Sequence, residues 1–178
     1  FNARTSAAFG IEYYYVKKVK LDTQAVTISG DGDEFGWNDA VLHVRGPWSF
    51  GASFRSAVNV PIDGLVNTTP ATTELGLPWM FQIGARYQAT DKLGIEFDFE
   101  RIGWKKFNQI VISSVASGAT LVTSTNAWDN ANAFRLGASY DLTTQTQLRA
   151  GYARDLTGQG DDHFTARVPD ADRHLFSV

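Results

Sequence analysis

The chain has 178 residues, the length of one ordinary domain or of part of a larger one, which excludes a multi-domain enzyme. Hydrophobic residues at 43%, charged ones at 20%, and 16 glycines against 5 prolines describe neither a disordered nor a collagen-like chain. The net charge of −3 leaves no basic surplus to follow a phosphate backbone, so no nucleic-acid partner is expected, and the absence of cysteine removes disulfides, thiolate chemistry and cysteine metal sites.

No apolar run reaches the roughly 20 residues that a spanning helix needs. A barrel strand is a different case, because it gives lipid only every second side chain. Alternation of this kind recurs along the whole chain, so the sequence reads as nearly all β. The first strand, Phe9 to Leu21, sets Phe9, Ile11, Tyr13 and Tyr15 against Glu12, Tyr14 and Lys18. Residues 22–34 follow as a long loop, in which Asp31-Gly32-Asp33 and Gly36 resemble the start of a calcium loop. The twelfth position of such a loop would be Leu42 instead of a bidentate Glu, so a turn is expected there.

After a tight turn at 45–48, Phe50, Ala52 and Phe54 alternate with Gly51, Ser53 and Arg55. A loop at 61–77 leads to Phe81, Ile83, Ala85 and Tyr87, opposed by Gln82, Gly84, Arg86 and Gln88. A tight turn at 89–92 precedes Leu93, Ile95, Phe97 and Phe99, opposed by Gly94, Glu96, Asp98 and Glu100. A long connection near 114–126 leads to Phe134, Leu136, Ala138 and Tyr140, opposed by Arg135, Gly137, Ser139 and Asp141. The tight turn 142–146, the strand carrying Leu148, Ala150 and Tyr152, and a long loop at 156–170 complete the series. The count is about eight strands, the last one cut at Val178.

Short and long connections alternate strictly, as in an up-and-down outer-membrane barrel with turns at one end and loops at the other. A soluble β-sandwich is the rival, but its polar faces look at bulk water. Here Glu96, Asp98 and Glu100 stand on successive positions of one face and Arg55, Arg86, Arg135 and Arg149 on the others, among Gly51, Gly84, Gly94, Gly137 and Gly151. That composition suits a lumen in which arginines cross small residues to reach carboxylates. Aromatics near strand ends, Tyr13 to Tyr15, Trp37, Trp48, Trp79, Trp104, Phe107, Trp128 and Tyr140, read as interfacial girdles. The fold expected is therefore an all-β, antiparallel, transmembrane up-and-down barrel in the bacterial outer membrane.

Four stretches in order carry a family resemblance. They are Gly30-Asp31-Gly32-Asp33-Glu34-Phe35-Gly36-Trp37-Asn38 with Phe50-Gly51-Ala52-Ser53-Phe54-Arg55-Ser56; Leu75-Gly76-Leu77-Pro78; Gly103-Trp104-Lys105-Lys106-Phe107; and Trp128 with Phe134 to Tyr140, Arg149 to Tyr152 and Val168-Pro169-Asp170-Ala171-Asp172-Arg173. The chain resembles the FadL-type outer-membrane transporters of long-chain fatty acids and aromatic hydrocarbons, including the TodX-like members. The resemblance implies that residues 1–178 are a single partial domain, about eight strands from the C-terminal part of a fourteen-stranded barrel, with the N-terminal hatch and the final strands outside it. It also implies passive transport by loop capture, a lumen pocket and lateral release, with outer-membrane lipid and lipopolysaccharide as surroundings and no cofactor. The family places a basic residue shortly before the pair at Phe134-Arg135 that helps hold a substrate carboxylate. No lysine or arginine stands in 128–134 here, which favours a neutral hydrocarbon cargo.

On this reading Arg55, Arg86, Arg135 and Arg173 are candidate contacts for a cargo headgroup, and Trp104 and Phe107 border the pathway. The competing assignment pairs those arginines with Glu96, Asp98, Glu100 and Asp172 as lumen filling, and makes the two aromatics interfacial anchors. Asp161-Asp162-His163 reads as a solvated acidic loop sooner than a cation site. Catalysis is not expected. His43 is placed on the inward parity with Asp39, His163 in a loop and His174 outward with Phe176, and no serine stands in a nucleophile motif. The function from another class is an adhesive or structural barrel whose loops bind partners. Apolar residues in the loops, Ile62, Leu65, Val66 and Leu75, then Ile112, Val115, Ala119 and Leu121, favour capture of apolar cargo over adhesion.

Overall fold

A computed structural model describes residues 4–22, 27–163 and 169–178, without the side chains of Leu21, Asp22 and His163. Parts of the expected loops at 22–34 and 156–170, Val168 included, and the His163 side chain of the acidic triplet therefore lie outside what is described. The strands in chain order are β1 (Thr5–Asp22), β2 (Thr27–Arg45), β3 (Trp48–Arg55), β4 (Val58–Val66), β5 (Thr69–Leu77), β6 (Met80–Gln88), β7 (Leu93–Ile102), β8 (Gln109–Ser114), β9 (Thr120–Thr125), β10 (Ala131–Asp141), β11 (Gln147–Leu156) and β12 (Arg173–Ser177). Short 3-10 turns occupy Trp104–Phe107 and Asp161–His163.

All twelve strands belong to one antiparallel sheet. Eight of them form an up-and-down wall, β1-β2-β3-β6-β7-β10-β11-β12, each hydrogen-bonded to the next. The remaining four are two hairpins inserted at the loop end, β4–β5 between β3 and β6 and β8–β9 between β7 and β10. The wall thus has eight strands, as counted from the sequence, and the expected loops at 61–77 and near 114–126 are mostly paired strand. Residues 27–34 are a second correction. They continue β2 against Tyr14–Asp22 of β1, so the Asp31–Gly36 segment is neither a turn nor a calcium loop but part of a strand.

β2 is the junction of the sheet. Its whole length pairs with β1, its turn-side half from Asn38 to Arg45 pairs with β3, and its loop-side half from Ile28 to Asp31 pairs with β4. The glycines of the acidic segment make that junction possible. A Cβ on Gly32 would strike the Pro61 carbonyl, and one on Gly64 would strike the Ser29 carbonyl, so β4 lies on β2 only because both positions lack a side chain. Asn67 then ties the hairpin tip back, accepting from Thr27 N at 2.9 Å through its Oδ1 and donating from its own N to Thr27 O at 2.7 Å.

Burial follows the same division. Val58, Val60 and Ile62 of β4 form the buried cluster, joined by Tyr14, Val16, Leu75 and Leu77. In the wall, by contrast, one face is apolar and open: Ile11 is 72% exposed, Leu136 53%, and Phe9, Phe50, Ile83, Phe97 and Leu148 stand on the same side. Large side chains left uncovered on one face of an eight-stranded wall are what a lipid contact requires, and the opposite of what a sandwich core would show.

Aromatic rings gather at both margins of that face. At the turn end Trp48 packs on Tyr87 with centroids 4.5 Å apart and on Phe50 at 5.6 Å. Toward the loop end Phe9, Trp37, Phe54 and Trp79 follow one another across the strands at 6.3, 5.4 and 6.3 Å.

Replacing Gly64 with valine is expected to lift the β4–β5 hairpin from β2 at a cost of about 1–3 kcal/mol. Protease cleavage within 58–77 of the membrane-inserted protein should accelerate while its resistance to unfolding in cold dodecyl sulfate is kept. Unchanged cleavage would show that the close approach is not limiting.

Candidate functional site: the polar wall face and the loop pocket

Residues directly opposite in an antiparallel pair share a face, so the registers assign each side chain. The open apolar face carries Phe54, Ile83, Phe97, Leu136 and Tyr152, and the other carries Gln82, Arg86, Glu96, Asp98, Glu100, Arg135 and Arg149. Arg86 Nη1 lies 3.5 Å from Glu96 Oε2, its direct cross-strand neighbour, while Nη2 donates to Ser139 Oγ at 3.1 Å. Arg135 faces Asp98 in register but turns diagonally, placing Nη2 3.2 Å from Glu100 Oε1. The small residues serve this arrangement: the Arg86 guanidinium lies where a Cβ of Gly94 would be, and the Asp98 carboxylate where one of Gly84 would be.

Nearer the loop end Arg55 Nε lies 3.2 Å from Glu12 Oε1, which also accepts from Asn38 Nδ2 at 2.7 Å, and Tyr14 OH donates to the second oxygen of Glu12. Arg173 Nη2 reaches Asp155 at 3.6 Å and Asp170 at 3.7 Å. Asp172 has a different task, accepting from Thr157 N at 2.9 Å and so holding the 156–172 connection. Each of the four candidate arginines therefore faces a carboxylate. Glu12, Asp155 and Asp170 were not legible as partners, because they lie 43, 18 and 3 residues from their arginines and only the register brings the first two across. Glu12 did carry a signal in its parity opposite the Ile11–Tyr13 face.

Trp104 and Phe107 belong to neither the wall face nor the girdles. They sit in the 3-10 turn after β7 and pack edge-on against Trp128, with centroids 5.1 and 5.7 Å away. Trp128 is only 5% exposed, so it is the centre of a loop cluster and not the girdle residue expected. Gly103 lets the chain turn tightly over Trp79, whose indole occupies the place of a Cβ. The parity expected for His43 and Asp39 also changes. Both pair with apolar-face residues, His43 with Phe50 and Asp39 with Phe9 and Phe54, so they point outward, and His43 Nδ1 meets Thr5 Oγ1 at 2.9 Å.

At the loop end the two inserted hairpins enclose an apolar pocket of about 160 Å³. Val19 and Ile28 come from the β1–β2 hairpin, Ile62, Leu65 and Leu75 from β4–β5, and Ile110, Ile112 and Val122 from β8–β9. Thr73 Oγ1 donates to Val111 O at 2.7 Å and fastens the two hairpins together beside it. A β-bulge helps to build this wall: Lys17 and Lys18 occupy the span between the paired Val16 and Val19, so both valines stay on the inner side.

The family described as outer membrane protein transport protein (OMPP1/FadL/TodX) matches residues 3–178. The chain belongs to this family. Within the FadL/TodX group it is 28% identical over 174 residues to the 47 kDa outer membrane protein of Pasteurella multocida (85% of this chain, 40% of that protein). It is 25% identical over 155 residues to outer membrane protein P1 of Haemophilus influenzae (81% of this chain, 33% of that protein). It is 23% identical over 181 residues to the long-chain fatty acid transport protein of Escherichia coli O6:H1 (88% of this chain, 40% of that protein). The crystal structure of a Pseudomonas aeruginosa FadL homologue superposes with a TM-score of 0.75 at 15% identity, covering 97% of this chain and 51% of that one. The chain thus spans a third to two-fifths of its curated relatives' length and shares the architecture of the FadL barrel. Its place is the bacterial outer membrane, the apolar face is the lipid face, and the polar face is the lumen.

The Glu100 side chain is 12% exposed and Arg135 37%, so this is the more enclosed of the two mid-wall pairs. Discounted for that exposure, Arg135→Met should cost about 1–2 kcal/mol by stranding the carboxylate. Adding Glu100→Gln should recover part of the loss, read as coupling in a double-mutant cycle of urea unfolding from lipid vesicles. Strict additivity would mean the pair contributes nothing.

Proposed function

We propose that the parent protein passively carries hydrophobic compounds, long-chain fatty acids or aromatic hydrocarbons, across the outer membrane. Cargo is captured by the loops, passes into a lumen pocket and is released sideways into the membrane. The observation that supports this most is the apolar pocket between the β4–β5 and β8–β9 hairpins, at the end of the wall where the long connections lie. Its volume of about 160 Å³ is comparable to the roughly 150 Å³ cavity that accepts a benzene ring, and so suits one ring or a few methylenes of a chain. An adhesive barrel would present polar loop surface at this place.

The lumen charges favour a neutral cargo. Arg55, Arg86, Arg135 and Arg173 all face carboxylates already, so a fatty-acid headgroup binds them only by displacing Glu12, Glu96, Glu100 or Asp155. The aromatic cluster of Trp104, Phe107 and Trp128 packs on itself within the loops, where it braces the mouth against cargo passage. Transport of this kind needs no cofactor and no bond-making step.

Uptake of radiolabelled toluene and oleate by a strain lacking its own transporter, complemented with the full-length gene, tests this reading. Ile112→Asp should reduce uptake about tenfold by placing a carboxylate in the apolar pocket, and toluene should be taken up better than oleate. Absence of uptake of either compound by the wild type would turn the assignment to an adhesive barrel.

A further inference from the structure

The arginines of the wall divide by face. On the lumen side Arg55, Arg86, Arg135 and Arg173 have carboxylate partners and Arg149 donates to Gln147 Oε1 at 2.6 Å, whereas Arg101 on β7 and Arg154 on β11 point to the lipid side near the loop end, as Arg45 does at the turn end. Arg101 pairs in register with Phe81 and Asn132, and Arg154 with Phe134 and His174, all on the open apolar face. Arg101 Nη1 donates to Asn132 Oδ1 at 3.2 Å, and neither arginine has a carboxylate within ion-pair distance among the described residues. Both side chains are exposed.

Their height is set by the ladder beneath them. On β7 the outward positions Leu93, Ile95, Phe97 and Phe99 precede Arg101, and on β11 Leu148, Ala150 and Tyr152 precede Arg154. Arg101 thus lies four outward steps, roughly 26 Å along the strand, beyond Leu93, and Arg154 three, roughly 20 Å, beyond Leu148, near the upper edge of an apolar band of about 25 Å. The Phe99–Phe134 contact, with centroids 5.2 Å apart, lies directly below Arg101 and level with Arg154. Both guanidinium groups therefore emerge at the loop-end margin, where lipid tails give way to headgroups. Two strand spacings and one pair step separate them, roughly 11 Å between Cα atoms.

The outward neighbours at this margin include Asn132, Leu156, Trp79 and His174; of the acids in the same segments, Glu100 and Asp155 point to the lumen and Asp172 accepts from Thr157 N at 2.9 Å. His174 Nδ1 is held by Tyr152 OH at 2.7 Å, which keeps the ring beside Arg154. A guanidinium at a lipid–water margin, without a carboxylate partner and with a planar fork of donors, has phosphate as its natural ligand. We infer that Arg101 and Arg154 form a binding site on the outer wall for the phosphate groups of an outer-leaflet lipid, the phosphorylated glycolipid core of lipopolysaccharide. The site is separate from the cargo route and holds whether the cargo is a hydrocarbon or a fatty acid.

The test uses the purified full-length protein and lipopolysaccharide in intact and enzymatically dephosphorylated forms. The wild type should bind the intact form about tenfold more tightly than the dephosphorylated one. The double variant Arg101→Gln with Arg154→Gln should lose that preference, while Arg45→Gln at the turn end should keep it. Inorganic pyrophosphate at matched phosphate concentration should not compete, since the lipid tails seat the headgroup against Phe99 and Phe134; full competition would identify a free-phosphate site and overturn the assignment to lipid. Equal binding of the two lipopolysaccharide forms by the wild type also refutes the site, and this comparison stands even if the double variant does not assemble. A double variant that assembles and retains the preference places the phosphate contact elsewhere. Cargo uptake by the double variant should match the wild type, so loss of lipid binding and loss of transport are distinguishable.

Discussion

In the hydrocarbon layer every backbone N–H and C=O needs a partner within the protein, and the rest of this structure depends on that requirement. It forces the chain to cross as strands bonded to their neighbours, which gives the β1-β2-β3-β6-β7-β10-β11-β12 wall its unbroken order. It also confines irregular backbone to the two ends. At the turn end the constraint leaves only short connections; at the loop end water relaxes it, and there the chain builds two extra hairpins with a buried cluster of their own around Val60. A single sheet thus contains a wall without a core and, above it, a small folded unit that has one. β2 belongs to both, and Gly32 and Gly64 make the join.

The same separation orders the charges. On the polar face Arg55, Arg86, Arg135 and Arg173 each meet a carboxylate, as in Arg86 with Glu96 and Arg135 with Glu100, while Arg149 is held by Gln147. Such pairing lowers the net field of that face. Apolar affinity is instead concentrated in the loop pocket, where Ile62, Ile112 and Val122 meet. On the proposed function, capture and passage would fall to these two different surfaces.

Much of the wall was legible in the sequence because its environment has period two: lipid sees Leu93, Ile95, Phe97 and Phe99, and the lumen sees the residues between them. The inserted hairpins were not, since Pro61, Gly64, Gly76 and a run of threonines look like loop composition, and β4 and β5 are held by the sheet instead of by propensity. The Asp31–Gly36 segment misled for a related reason. Its glycines answer a close approach by Val58 and Pro61 of β4, which local reading cannot see. At the candidate site, parity placed the four arginines correctly on the polar face, but choosing their partners needed register. Arg135 takes the diagonal Glu100 over the opposite Asp98, and Arg55 takes Glu12 from two strands away. The outward parity of His43 was missed because Val41, Leu42 and Val44 put apolar residues on both parities around it, so the stretch does not alternate.

The assignment of faces is the claim on which lumen, pocket and lipid contact all rest, and site-directed spin labelling tests it directly. The chain contains no cysteine, so single cysteines at Phe97, Leu136, Glu96 and Ser139 of the full-length protein in lipid vesicles report one position each. Labels at Phe97 and Leu136 should relax with dissolved oxygen, which partitions into lipid, and those at Glu96 and Ser139 with a water-soluble nickel chelate. The reverse pattern would place the charges outside and the apolar residues within, and would contradict a membrane wall altogether.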